Sequence, residues 1–513
     1  MRTDGFLPGF SSSARLIARR PAGTLGPLVP RLKPRLRRAA VAHRRDQIDR
    51  ATRRLLRELR PKGKKLAPEH LLAERGTWGL RQADLARIAE LGHDAWLDEQ
   101  LDPDLDDGGF EEQLASALPS LSMTPWELYQ SYEDDPFQPV IELMVASVFR
   151  ATFSPRQVLE RFVVFWSDHF SIDVLADHGY LLKSTDDREV VRKHALGSFP
   201  DMLRASAHSP SMLEYLTNDT NTVGHPNENY ARELMELHTL GVDGPYTQED
   251  VRQVARAFTG WTLHSVYDAG TRMGTFHFRS FAHDRKKKRV LGVKLPANRG
   301  IEDGEDVLDL LAAHPQTASF IAEKMARFFL GYEPKRSVVR KVAKKYRATN
   351  GDIAAMARVI LSPKNLRRAS PKLKRPFHLM VSALRATGAD LRDARFLFEQ
   401  LEIAGHLPFA WSAPNGYPDD PTYWSGFILP RWNYAAQMPV TEESGIAVDP
   451  SLENESVQPK VLVRRLDRRI FNGAMSPKTR KALIDFLEAK PVSKKRVREA
   501  VGMALASPEF QLY

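Results

Sequence analysis

Pro226-Asn-Glu-Asn-Tyr-Ala-Arg-Glu-Leu-Met-Glu-Leu-His-Thr-Leu-Gly241 is the most informative stretch of this 513-residue chain. Its apolar residues recur at helical spacing, Asn227 after Pro226 suits an N-cap, and Gly241 suits the stop. On such a helix Asn229, Glu233, Glu236 and Leu240 share one face, and Asn227, Ala231, Leu234 and His238 share another. Glu228, Arg232 and Glu236 stand four apart, which permits an ion-pair ladder centred on Arg232. The next helix opens with a capping-box pattern at Thr247-Gln-Glu-Asp250 and ends at Gly260.

Outward from this stretch the same periodicity dominates. Helical runs are predicted from His70 and from Arg81, then over 124–132, 137–150, 155–175, 188–196, 199–207, 210–217, 248–258, 304–313, 315–331, 336–348, 352–361, 373–387 and 391–404. Three more follow over 458–470, 476–488 and 493–506. Strand-like runs are few, Thr275-Phe-His-Phe and Arg289-Val-Leu-Gly-Val, enough for one small hairpin. The expected fold is all-α, a large multi-helix body with at most one small β-hairpin. Three parts are expected: a basic, largely disordered leader (1–66, with a basic helix over 41–60), a main helical domain (67–440), and a polar linker with C-terminal helices packed on it (441–513). Asp352–Pro363 and Val497–Pro508 are weakly alike, as any two helices running into Ser-Pro would be.

Charge is divided along the chain. Residues 1–66 hold 19 Lys and Arg against 4 Asp and Glu, so the net +11 comes from the leader and the remaining 447 residues sum to −4. Such a leader suits nucleic acid or anionic lipid, and equally suits a plain solvated tail. Cysteine is absent, which excludes disulfides, thiol catalysis and thiolate metal sites. No window approaches roughly eighteen uninterrupted apolar residues, so no transmembrane segment is expected. The first residues lack an apolar signal core, and the residues after Arg19-Arg20 are broken by Gly and Pro. By absence of a clear signal the chain reads as cytoplasmic, while a disulfide-free chain suits cytoplasm and periplasm alike, so the compartment stays open.

Three clusters carry candidate chemistry. The first is the signature helix itself. The second lies in Glu160-Arg-Phe-Val-Val-Phe-Trp-Ser-Asp-His-Phe-Ser-Ile-Asp173, apolar nearly all round and therefore buried, where Asp168, His169 and Asp173 must be satisfied by hydrogen bonds or a metal. The third is Phe276-His-Phe-Arg-Ser-Phe-Ala-His283-Asp284, in a long polar and aromatic loop followed by the basic run Lys286–Arg289, which reads as solvated. Two His with carboxylates suit Zn, Mn or Fe(II). Asp102-Pro-Asp-Leu-Asp-Asp-Gly108 is no calcium loop, since its Gly falls one place late and Gln113 stands at the twelfth position. Neither a Gly-rich phosphate loop before a helix nor a Gly-x-Ser-x-Gly elbow is present.

These residues resemble the bacterial family known as domain of unknown function 1800. The similar stretches are His70-Leu-Leu-x-Glu-Arg-Gly-Thr-Trp-Gly79 running on to Gly92-His-Asp-Ala-Trp-Leu-Asp-Glu-Gln-Leu101, then Phe165-Trp-Ser-Asp-His-Phe170. Met212-Leu-Glu-Tyr-Leu-x-Asn218 with the 227–242 block, Phe281-Ala-His-Asp284 with Leu291-Gly292, and Ala504-Leu-Ala-Ser-Pro-Glu-Phe-Gln511 complete them. The chain departs from the pattern at His406, where the family has Gln, and at Tyr417, where it has Trp. The resemblance implies a large helical fold, often exported, frequently encoded beside a sulfatase-like family that is a candidate partner. It also implies His169, Asn227, Glu228, Asn229, Arg232, Glu233, His283 and Asp284 as site residues.

Two functional readings follow. In the first, the protein is a metal-assisted enzyme, hydrolytic or oxidative. His169, Glu233 and His283 ligate a divalent transition metal (Zn, Mn or Fe), Asp284 is base or orienter, and Arg232 holds Glu228 or a substrate anion. Asn227, Asn229, Glu236 and His238 line the site. In the second, the protein is a non-catalytic helical binding or scaffold protein, and the same residues form a buried polar network.

Overall fold

A computed structural model describes residues 66–513 except 266, 268–269, 442–443 and 454–457. The expected leader helix at 41–60 lies outside the described residues.

The first half of the body runs α1 (Pro68–Gly76), α2 (Gln82–Leu91), α3 (His93–Gln100), α4 (Phe110–Ala117), α5 (Pro125–Ser131), α6 (Gln138–Phe153), α7 (Gln157–His169) and α8 (Gly179–Asp186). From α8 the chain continues without a break into a widened π-helical segment, Asp187–Arg192. Next come α9 (Phe199–His208), α10 (Pro210–Tyr215), α11 (Asn229–Glu233) and a second π-helical segment, Leu234–Thr239. After α12 (Gln248–Ala257) come α13 (Glu302–Ala313), α14 (Pro315–Leu330), α15 (Arg336–Ala348), α16 (Ile353–Ile360) and α17 (Pro363–Leu366). The remaining helices are α18 (Pro376–Thr387), α19 (Arg395–Ile403), α20 (Pro421–Ser425), α21 (Ile428–Gln437), α22 (Pro459–Phe471), α23 (Pro477–Glu488), α24 (Lys494–Ala506) and α25 (Pro508–Gln511).

The protein is thus all-α in character. Three two-stranded antiparallel pairs interrupt it, β1 (Trp261–Leu263) with β2 (Phe276–Phe278), β3 (Lys288–Val290) with β4 (Val293–Leu295), and β5 (Asp390–Leu391) with β6 (Ile446–Ala447). That is two more than the single hairpin expected. β3 and β4 turn tightly at Leu291-Gly292, both at positive φ. β6 lies in the stretch read as a polar linker and pairs back onto the residues before α19. Helices α3, α4, α8, α17, α20, α21 and α25 had no counterpart among the predicted runs, because each is ten residues or shorter and carries too few apolar repeats to show a period. Among the described residues no helix is long and apolar enough to cross a membrane.

Two apolar cores hold the body together. One gathers side chains of α1, α3, α7, α9 and α11–α17, among them Phe162, Trp166, Met235, Phe258 and Phe329. The other gathers α4, α6, α18, α19 and α21–α25, among them Phe149, Met380, Leu397, Tyr434 and Val501. Arg161 of α7 lies between them, its guanidinium 4.6 Å from the Trp78 ring of the second core and 4.8 Å from the Phe328 ring of the first. Cation–π contact on both faces suits a buried guanidinium.

Candidate functional site

The signature segment begins with an Asx turn and a ladder, and Glu228 rather than the expected Asn227 takes the N-cap place, without a side-chain cap. Asn227 Oδ1 accepts the Asn229 N–H at 3.0 Å, and regular helix starts at Asn229. Arg232 Nη2 reaches Glu228 Oε2 at 3.0 Å and Nη1 reaches Glu236 Oε1 at 3.4 Å, so the ladder permitted by the spacing is formed. Gln248 of α12 donates to the same Glu228 oxygen at 2.6 Å and ties the ladder to the next helix. Both pairs are partly exposed, so each adds a fraction of a kcal/mol, roughly 0.2–0.5.

The two signature asparagines act on a neighbouring turn. Asn227 Nδ2 donates to the Thr217 carbonyl at 3.0 Å and to Thr217 Oγ1 at 2.9 Å, and Asn229 Nδ2 donates to that hydroxyl at 3.1 Å. Thr217 has φ +55°, a costly conformation for a β-branched residue unless held from outside. Behind it Asn221, fully buried, accepts the Asn227 N–H and donates to Asn218 Oδ1 and the Ala255 carbonyl. Asn218 in turn donates to the carbonyls of Phe258 and Trp261. The Met212–Asn218 and Asn227–Gly241 motifs are therefore one network that fastens α10, α11, α12 and β1 together. Thr217 and Asn221 escaped the sequence reading, and Asn218 entered it only as the end of a family motif, because an asparagine in a loop is ordinarily turn chemistry.

His169 and His238 sit against each other, ring centres 6.0 Å apart, among Trp166, Phe170, Phe199 and Phe320. His169 Nε2 bonds the His238 carbonyl at 3.1 Å, and His169 Nδ1 receives the Lys324 ammonium at 2.8 Å. Burial, then Lys324 and His238, hold the His169 imidazole well below its usual pKa, and burial pushes His238 down to about 3. Lys324 is itself lowered to about 8 by burial, against the pull of Asp168 and Asp419. Asp168 turns away to Arg375 Nη1 at 2.7 Å.

His283 belongs to a different cluster. Its Nδ1 bonds the Thr259 carbonyl at 2.8 Å, and its Nε2 faces Asp303 Oδ2 at 3.3 Å. Lys288 Nζ joins the same Asp303 oxygen at 2.6 Å with both side chains wholly buried. Burial alone would raise the Asp303 carboxyl, but the His283 and Lys288 hydrogen bonds hold it below the usual carboxylate range. Asp284 accepts Arg256 Nε at 2.7 Å and the Lys286 N–H at 2.8 Å. The run Lys286–Arg289, read as solvated, thus buries one lysine as the counter-ion of an aspartate.

The sequence expectation placed His169, Glu233 and His283 around one ion. The structure instead gives the two imidazoles separate protein partners on both ring nitrogens. Among the described residues Glu233, half-buried, has no hydrogen-bond or ion-pair partner, and burial and Glu236 raise its carboxyl. Together with Asp173 it raises the Tyr215 phenol, after burial, to about 12. Among the described residues no group of three or more His, Asp and Glu is placed to hold a metal ion. At the two positions departing from the family pattern, His406 Nδ1 accepts the Phe377 N–H and Tyr417 donates to the Leu407 carbonyl. Both rings pack edge-on and tilted into a buried cluster with Trp424.

A concave site lies elsewhere. A cleft of about 500 Å³ opens where α4, α6, α7 and the Asp187–Arg192 segment meet. Glu111, Arg150, Glu160, Asp187 and Arg192 line it. None of these was singled out from sequence. The one available signal, acids and bases three to five apart over 186–193, is also what a solvated helix face looks like.

Residues 70–512 match a family described as protein of unknown function (DUF1800). No curated protein and no solved structure matches the chain.

Proposed function

The chain belongs to the DUF1800 family, and from that premise we propose a helical binding or scaffold protein whose signature residues are a polar network fixing helix packing. The observation that carries this reading is the occupation of all four ring nitrogens of His169 and His283 by protein groups. A metal-ligating imidazole offers a lone pair to the ion and fixes its other nitrogen with a partner. Here His169 Nδ1 is taken by an ammonium and both His283 nitrogens face acceptors. The asparagine chain supports the same reading, since every link ends on a backbone group or on another side chain of the network.

Elemental analysis of the purified full chain, free of an affinity His-tag and offered Zn, Mn and Fe(II), tests it beside His169→Ala and Glu233→Ala. The expected result is no near-stoichiometric metal, with His169→Ala lowering stability and Glu233→Ala nearly neutral. Stoichiometric metal in the parent, lost in both variants, would overturn it in favour of a metal-assisted hydrolytic or oxidative enzyme.

A further inference from the structure

The cleft beside the Asp187–Arg192 segment has the size of a small-molecule site, in the middle of the usual range of roughly 300–1,000 Å³. Its walls carry five cations and four carboxylates, and the rest are Ser, Ala and Leu. No aromatic ring lines it, so it offers no platform for stacking a nucleobase or another flat ring.

Most of that charge is already spent. Arg150 grips Glu111 with Nε–Oε1 at 2.9 Å and Nη2–Oε2 at 2.7 Å. Arg192 grips Glu160 in the same two-pronged way, at 2.6 and 3.1 Å. These bidentate pairs satisfy one another and stiffen the walls.

Among the described residues four charged groups of the lining remain unspent, one of them Glu112, an exposed carboxylate at the rim. Asp187 is 3% exposed, and its Oδ1 is buried with no hydrogen-bond partner. Its nearest cation, Arg150 Nη1, stands 3.8 Å away on the other oxygen. Arg156 Nε is likewise buried without a partner, while its Nη2 is held by the Pro103 carbonyl at 2.8 Å. Lys193 at the mouth is exposed and makes no hydrogen bond or ion pair. A buried polar atom without a partner is rare in a folded protein, and a bound ligand is one way to satisfy it.

The unspent set is one acceptor at depth, two cationic donors, and Glu112 exposed at the rim. Asp187 also opens the π-helical segment, a distortion common at functional sites. We propose that this cleft binds a polyhydroxylated organic anion, a sugar acid or a sugar phosphate, with a hydroxyl given to Asp187 Oδ1 and the anionic group held by Lys193 and Arg156. A bare anion leaves Asp187 Oδ1 unsatisfied, and a neutral sugar leaves Lys193 without a counter-charge in the ligand. The assignment rests on the binding-protein reading above.

Isothermal titration of the full chain tests it with four probes: D-glucuronate, glucose 6-phosphate, glucose and acetate. Binding of glucuronate, glucose 6-phosphate or both is expected, with glucose and acetate weaker by about tenfold or more. Binding of only one of the two anions identifies carboxylate or phosphate as the ligand's charged group. Lys193→Ala, on an exposed side chain that leaves folding untouched, is expected to weaken the anions about tenfold and to leave glucose unchanged. Asp187→Ala is expected to weaken every hydroxylated probe. No heat with either anion up to about 10 mM, acetate as tight as glucuronate, or affinities unchanged in both variants overturns the assignment. Metal content is a separate readout. A metal-free protein that ignores these probes loses this assignment alone, and a protein with stoichiometric metal loses the reading beneath it.

Discussion

At the scale of single residues, burial rather than charge decides which signature positions matter for stability. Asn221 is fully buried and makes three hydrogen bonds. Its replacement by Ala strands a backbone N–H, a carbonyl and the Asn218 amide. Asn221→Ala is therefore expected to cost about 2–4 kcal/mol. Arg232, more visible in the sequence, sits in a half-exposed ladder, and Arg232→Ala should cost under about 1 kcal/mol. Urea melts of the two variants against the parent check the ranking, and an equal loss in both would refute it. The sequence carried the ladder, because i, i+4 spacing is enough to place Glu228, Arg232 and Glu236 together. It could not carry the partners of His169 and His283, which come from α14, from the turn after α12 and from α13. A histidine in an apolar run announces that it must be satisfied, but its neighbours in the chain do not say by what.

Secondary elements were far more legible than their contacts. The Thr247–Asp250 capping box forms as read, with Thr247 Oγ1 accepting the Asp250 N–H and Asp250 reaching back to the Thr247 N–H. Helices with long amphipathic repeats, such as Arg336–Ala348, fall within a residue or two of the predicted runs. Tertiary demands override local preference at Gly304 in α13. Propensity says that Ala in a helix interior gains about 1 kcal/mol over Gly. Here a Cβ would stand 2.5 Å from the buried Trp261 ring. Gly304→Ala is expected to destabilise by about 1–3 kcal/mol, the usual cost of overpacking, and thermal melting gives the sign directly. A gain would mean that the β1 strand can retreat from α13.

On the scale of the whole molecule, acid is the natural probe of the buried imidazoles. Burial holds His169, His378 and His406 well below their usual pKa, and His238 at about 3. These rings take up protons in the unfolded chain before they do so in the fold. Their contribution is whole above pH 6.5 and is lost as the pH falls through the window below it. For His238 alone the loss is about 2 kcal/mol by pH 5. Asp168 and Asp187, raised chiefly by burial, bind protons earlier in the fold and soften the fall near its acid end. The urea midpoint should therefore drop steadily from pH 7 to pH 5, and His238→Asn should flatten that slope. A midpoint independent of pH in this window would show that the rings are charged in the fold. No pattern in the sequence announced these rings as a set, since His378 and His406 reach their apolar surroundings only through the packing of both cores.

The two widened segments, Asp187–Arg192 and Leu234–Thr239, have a consequence for how this chain tolerates changes of length. A π-helical turn carries more residues than an α turn, so each segment holds slack that a plain helix lacks. Deleting one residue from 234–239 lets the backbone close to an ordinary α turn without shortening the span it must cover. The ladder on its N-terminal side then keeps its direction relative to Leu240, whereas the same deletion in a plain α-helix would swing it by about 100°. These two places are thus where the chain can lose a codon without changing which side chains share a face.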